Sequence, residues 1–354
     1  VEATGGQVSR DEGWVIYLST QSDEPPAGVF QDKLRYFRGV RDGRIIDTKS
    51  LGILYEFPQK MLDDQAYLRP EFFYITNPNL GRSVSAEWLE DQLRKVRESP
   101  GALQQFLSKH LNVELGLNLR HDRWAGADHW QTCRADGLVT LQDLLNRCEV
   151  VVAGIDGGGL DDLLGFGAMG REKDTGKWLH WGKAWAHRCV LERRKEIAPR
   201  LLDFAASGDL VLVEDDSEDD VEDVADLVQL MDRSGLLDRI GVDQAGIGGI
   251  ADAIEARNID RERIVGVPQG WRMVGAIKTT ERKLAGKSLL HAGQPLMAWS
   301  VGNARAVARG NAVVIEKQTA GSAKIDPVMA MLNCIALMSM NPQPQSKLIQ
   351  HFAY

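Results

Sequence analysis

From about residue 147 onward, short apolar runs that stop at glycine or aspartate alternate with longer amphipathic stretches, and the alternation predicts strands and helices in turn. Residues 150–155 are apolar and largely β-branched, end at Asp156 and meet three glycines at 157–159, so they predict a buried strand carrying one carboxylate at its exposed end. Residues 163–170 and 178–185 predict adjoining antiparallel strands, 192–207 a helix with one apolar face, and 210–213 another strand. A helix over 221–235 leads to a brief apolar strand that ends in Asp243, and 248–267 predict a further helix–strand unit. A last apolar helix opens at Asp326, with Pro327 behind it. Three strands, a helix, a strand, a helix and another strand make a mixed sheet flanked by helices, an order compatible with an RNase H-like core.

The first 118 residues are patterned more sparsely. Strands are expected over 13–22, 51–57 and 72–76, each broken by proline nearby, and the clearest helix spans 85–98, with Ser85 as its cap and Glu87 and Glu90 close behind. This is a piece of an α/β layer. Periodicity then weakens over 119–146, which predicts a junction whose tryptophans, Trp124 and Trp130, pack between domains.

Composition narrows the class without naming it. A chain of 354 residues, 44% hydrophobic and 26% charged, is globular material long enough for two domains. No apolar run reaches membrane-span length, and the N-terminus has no signal-peptide pattern. Cys133, Cys148, Cys189 and Cys334 are scattered without zinc spacing and read as reduced thiols of a cytoplasm. A net charge of −8 argues against a protein that coats nucleic acid, but not against a nuclease whose metal-site acids count toward that total. The acidic run 214–223 reads as a solvated loop entering a helix.

The chemistry sits at three aspartates. If the strands ending in Asp156 and Asp243 are neighbours and the helix opening at Asp326 packs over them, their carboxylates converge, and they repel unless a cation lies between them. Hard oxygen ligands with room for water favour Mg²⁺ or Mn²⁺ and phosphodiester cleavage. The plainer alternatives are turn aspartates at 156 and 243 and a helix cap at 326. Asp161, Asp162, Glu214 and Asp215 read as solvated loop acids before they read as ligands. Arg272, Lys278, Arg282, Lys283 and Lys287 suit a grip on DNA phosphates or, equally, the charged face of a helix; Lys324, beside Asp326, could reach the scissile phosphate. Gly165, Gly167 and Gly170 satisfy a GxGxxG spacing but lie within a strand-like run, so a dinucleotide site is not expected.

Several stretches together resemble the large terminase subunit of tailed bacteriophages: STQSDEPPAGVF at 19–30, TNPNLGRS at 76–83, KHLN at 109–112, GW at 270–271, KTTERK at 278–283, HAGQPLMAW at 291–299 and KIDP at 324–327. The resemblance covers nearly the whole chain. It implies an RNase H-like nuclease domain (147–345) after an incomplete P-loop-type ATPase α/β segment (1–118), a junction (119–146) and a short tail (346–354). The family's nuclease acids map onto Asp156, Asp243 and Asp326, and Thr20, Gln21 and Ser22 resemble the motif that couples nucleotide state to DNA movement. Two Mg²⁺ or Mn²⁺ ions per site, double-stranded DNA, the small terminase subunit and the portal of the procapsid are the implied cofactors and partners. The implied setting is the host cytoplasm, transiently at the procapsid. One departure is plain: no GxxxxGK[ST] phosphate loop is present, since Glu281 stands where the upstream glycine before Gly286-Lys287-Ser288 would be. The chain reads as a fragment or a truncated gene that does not hydrolyse ATP alone. Two other functions compete with cleavage. One is a remnant that only docks on portal or partner; the other is an actin-like or sugar-kinase phosphotransferase, whose second phosphate-binding loop the Asp243 turn does not supply.

Overall fold

The computed structural model describes residues 14–21, 28–114, 124–243, 248–310, 312–317 and 323–344. The chain divides into two compact units, 1–121 and 122–354.

The first unit contains α1 (Gly28–Arg41), α2 (Gln59–Asp63), α3 (Ala86–Val96) and α4 (Pro100–His110), with 3-10 turns at Ala66–Leu68 and Pro70–Ile75. Phe73, Leu89, Leu93, Phe106 and Leu111 form its core. Ser85 caps α3 as its sequence predicts, accepting from the Trp88 amide at 3.2 Å. The expected strands are corrected: 14–21 and 51–58 are irregular, and 72–75 lie in the second 3-10 turn. An extended segment becomes a strand only when a neighbour supplies ladder hydrogen bonds, and the described residues of this unit contain none. Instead Pro70 starts a turn that drops Phe73 into the core.

The second unit opens with α5 (Gly126–Trp130) and α6 (Leu141–Arg147), followed by β1 (Cys148–Gly157), β2 (Leu164–Glu172) and β3 (Trp178–His187). Next come α7 (Cys189–Arg193), α8 (Ala198–Ser207), β4 (Leu210–Val213), α9 (Asp219–Arg233), β5 (Leu237–Val242), α10 (Gly248–Glu255) and β6 (Ile264–Gly266). The chain closes with α11 (Val274–Ala285), β7 (Leu289–His291), α12 (Pro295–Asn303), the β8–β9 hairpin (Ala304–Arg309 and Ala312–Lys317) and α13 (Asp326–Met338). Two details differ from expectation. Residues 126–147, expected as part of an irregular junction, carry two helices, and Trp124 and Trp130 are buried in this unit's own core rather than between domains. The single helix expected over 192–207 is two, with Pro199 at the start of the second.

The main sheet runs β4-β3-β2-β1-β5-β6, with β7 beside the start of β3. β1, β2 and β3 are antiparallel neighbours, whereas β5 lies parallel to β1 and β6 parallel to β5. Side-chain alternation divides the core. Val151, Ala153 and Ile155 pack with α6, α9 and α10 on one face, while Val152 packs with α5, α11 and α13 on the other. This is the expected RNase H-like mixed sheet between helical layers.

Candidate metal-dependent nuclease site

Strand alternation aims the first acid. Asp156 shares the parity of Val152 and Gly154, so it faces the α13 side of the sheet, at the carboxyl end of β1. Asp243 directly follows β5, whose Val242 is in register with Ile155, and it shares the parity of Gly241, which lies against Leu337 and Asn333 of α13. Two carboxylates therefore stand side by side at one end of the central strand pair.

The third acid is delivered by close helix docking. A Cβ on Gly154 would stand 2.1 Å from the Ala330 carbonyl oxygen, and one on Gly165 would stand 2.8 Å from the backbone of Asp326. No side chain fits in that space. Gly165 pairs with Asp156 across β1 and β2, so the first residue of α13 lies beside Asp156. Asn333 fixes the register of the helix, donating from Nδ2 to the Ile155 carbonyl at 2.9 Å. The capping alternative for Asp326 is not what the structure has: the N-cap residue is Ile325, with no side-chain cap bond.

The electrostatics are those of gathered, partly desolvated acids. Burial, then the negative charges of Asp326, Asp243 and Asp162, push the Asp156 carboxyl up to about 8. Burial and Asp162 likewise raise Asp326, which is 8% exposed and whose Oδ2 has no hydrogen-bond partner among the described residues. An orphaned buried carboxylate oxygen is costly and suits a cation. Among the described residues no three His, Cys, Asp or Glu side chains already stand at metal-ligand spacing.

Asp162 joins the site although its sequence reads as a solvated loop. Its Oδ1 accepts from Lys324 Nζ at 2.7 Å, and the same ammonium donates to the Asp161 carbonyl. Lys324 is 2% exposed. The only sequence signal for this pair was the unusual Lys-Ile-Asp-Pro string at the helix start. Asp161 turns away to Arg194, whose guanidinium holds its carboxyl below the usual range. Glu214 pairs with Arg188, and Asp215 accepts from the Cys189 amide; neither joins the cluster.

The basic residues separate into kinds. Arg272, Lys278, Arg282 and Lys287 are exposed. Lys283, by contrast, is half-buried with its ammonium 3.8 Å from the Trp178 ring centre, and Lys324 is buried with its ammonium on Asp162. In the first unit, Gln21 is buried; its amide donates to Asn112 Oδ1 at 2.9 Å, and its carbonyl accepts from Lys109 Nζ at 3.2 Å. Thr20 is exposed beside it, and Ser22 lies outside the described residues.

The family model for the terminase large subunit, endonuclease domain, matches residues 53–341. Protein YmfN of Escherichia coli (strain K12) is 21% identical over 342 residues, which are 91% of this chain and 70% of that protein. The crystal structure of the HK97 bacteriophage large terminase superposes with a TM-score of 0.50 at 20% identity, covering 95% of this chain and 66% of that one. A large terminase nuclease from the thermophilic phage G20c, solved with bound magnesium, is 13% identical with a TM-score of 0.37, covering 61% of this chain and 97% of that one. At such identity the HK97 likeness shows the fold, and this chain spans just under two thirds of that terminase's length.

Proposed function

The chain belongs to the terminase large-subunit endonuclease family, and on that footing we propose that it is the nuclease that cuts concatemeric double-stranded phage DNA during packaging, by two-metal-ion phosphodiester hydrolysis. The observation that carries this reading is that β1, β5 and the start of α13 bring Asp156, Asp243 and Asp326 to one end of the sheet on its α13 side, where burial and then the neighbouring carboxylates push Asp156 up. Mg²⁺ or Mn²⁺ bound there would activate a water and stabilise the charge that develops on the phosphate and the leaving oxygen.

The chain's own residues do the rest. Asp156, central in the sheet, would be the shared ligand, and Asp243 and Asp326 would each complete one ion's set, with Asp162 at the Asp326 side. Lys324 holds Asp162 and the loop after β1 in place through two hydrogen bonds. Gly157, at φ +91°, lets the chain turn close beside Leu163 and Asp326 where a side chain would not fit. Exposed cations on and around α11 would hold the DNA backbone.

For the remainder of the chain, residues 1–118 are proposed as the end of a packaging motor domain without its phosphate loop, 119–146 as the junction, 147–345 as the nuclease and 346–354 as a tail outside the described residues. The polar grip of Asn112 and Lys109 on Gln21 supports a retained coupling element at Thr20 and Gln21. ATP would serve only with the motor segment that supplies the phosphate loop. The small terminase subunit and the portal of the procapsid are the proposed partners, in the host cytoplasm.

Plasmid nicking tests the reading. Wild-type protein should relax supercoiled DNA with Mn²⁺ or Mg²⁺ and be inert in chelator, and Asp156→Ala and Asp326→Ala should each abolish nicking. Cutting that persists unchanged in both variants would leave the site without a role.

A further inference from the structure

One surface of the second unit departs from the acidic balance of the chain. Trp271, Gly275, Lys278 and Arg282 are all exposed and recur at intervals of four, three and four, which places them along one outward stripe of α11 and the turn that precedes it. Trp271 is 62% exposed, and the Arg272 guanidinium lies 5.2 Å from its ring centre. Gly275 has nothing within 4 Å of the position a Cβ would take, which leaves a shallow gap between the indole and Lys278. Glu281, the one acid of this helix, is turned inward and accepts from Trp124 Nε1 at 2.7 Å. Arg272, Lys278 and Arg282 make no ion pair among the described residues.

The stripe is tied to the end of the sheet that holds the acids. β6 is parallel to β5, so both strands end where Asp243 begins, and the Val267 amide donates to the Val242 carbonyl at 2.8 Å. Only three residues lie between Val267 and Trp271, and the four chain steps reach at most about 14 Å. Gln269, within that stretch, donates to Asn333 Oδ1 at 3.1 Å, and Asn333 in turn holds the Ile155 carbonyl next to Asp156. A polar relay through the buried Asn333 thus fixes the base of the Trp271 turn to the strand that carries the central acid.

Resting on the reading that the acid site cuts DNA, we propose that this stripe is a track for one DNA strand, with Trp271 stacking on an unpaired base beside the cut and Lys278 and Arg282 holding the phosphates that follow. A largely exposed indole beside a guanidinium is a stacking platform for any base, and the cations beyond it match the charge of a backbone. A second protein chain would have no need of the all-basic edge. The track would favour frayed or newly cut ends over intact duplex.

The test measures binding apart from cleavage, using Asp156→Asn protein with Mg²⁺ and fluorescently labelled oligonucleotides, either blunt duplex or duplex with a short unpaired end. Trp271→Ala should weaken binding to the unpaired end roughly tenfold or more and leave the blunt duplex nearly unchanged, and Trp271→Phe should retain most of the affinity. Lys278→Ala with Arg282→Ala should weaken both substrates and lower the salt dependence by about one ion per cation removed. Unchanged affinity in Trp271→Ala, or an equal loss on both substrates, would overturn the proposal. So would unchanged DNA binding accompanied by a shift from oligomer to monomer in sedimentation, which would assign the face to chain–chain contact. Nicking by the unmodified protein, scored separately, reports on the acid site whatever the track does.

Discussion

At the residue scale, the carboxylate of Asp156 links folding, protons and ions. Its folded value of about 8 lies above the unfolded value of about 3.9, so without metal the folded chain holds a proton that the unfolded chain has released. The resulting stabilisation is fully present below about pH 4 and is lost as pH rises through about 8. A divalent ion that takes the proton's place should therefore raise the melting temperature more at about pH 9 than at about pH 6. Asp156→Asn should flatten both the metal-free pH dependence and the Mn²⁺ response. Thermal melts across pH with and without Mn²⁺ check this, and a Mn²⁺ effect independent of pH would count against the site. His180 works in the opposite direction. Burial, then the nearby His291, lower it to about 3, and neither ring nitrogen has a partner among the described residues. The unfolded chain takes up a proton below about pH 6.5 that the folded chain refuses, so stability is lost as pH falls from there toward 3. His180→Leu should move the acid limb of the melting profile to lower pH.

At the scale of elements, the site is a product of how closely α13 lies on the sheet. Gly154→Ala would set a methyl group against the Ala330 carbonyl and lift the helix that carries Asp326. A destabilisation of about 1–3 kcal/mol is expected. The loss of nicking should exceed the small folded fraction lost, because Asp326 moves away from Asp156; denaturant unfolding set beside nicking rates separates the two effects. The strands, the helices between them and the ends that bear Asp156 and Asp243 were legible in the sequence, because apolar runs stopped by glycine or aspartate encode a buried strand locally. The hairpin of β8 and β9 was not, since Arg305, Arg309 and Lys317 break its apolar pattern. Nor was the role of Asp162, which depends on Lys324 reaching it from 162 residues away along the chain. The three strands expected before residue 119 failed for a related reason: local β propensity cannot report whether a partner strand exists, and among the described residues of that unit none does.

At the scale of the whole molecule, the question is which part of the chain cuts. Every acid of the site, the helix that seats Asp326 and the basic stripe on α11 belong to the unit formed by residues 122–354, which has its own sheet and, among the described residues, three core clusters. A domain with its own buried core can fold alone. A fragment spanning 122–354 should therefore melt cooperatively and nick plasmid DNA with Mn²⁺ at a rate close to that of the full chain, and the Asp156→Ala substitution should silence it in the same way. The net charge of −8 does not oppose this, because substrate meets the local field of the stripe and of ions at the acids, and the average over the surface matters little within a Debye length. Raising salt should for that reason weaken DNA binding in fragment and full chain alike. A fragment that folds but does not cut would tie cleavage to the first unit, and the acids, though gathered, would then not suffice.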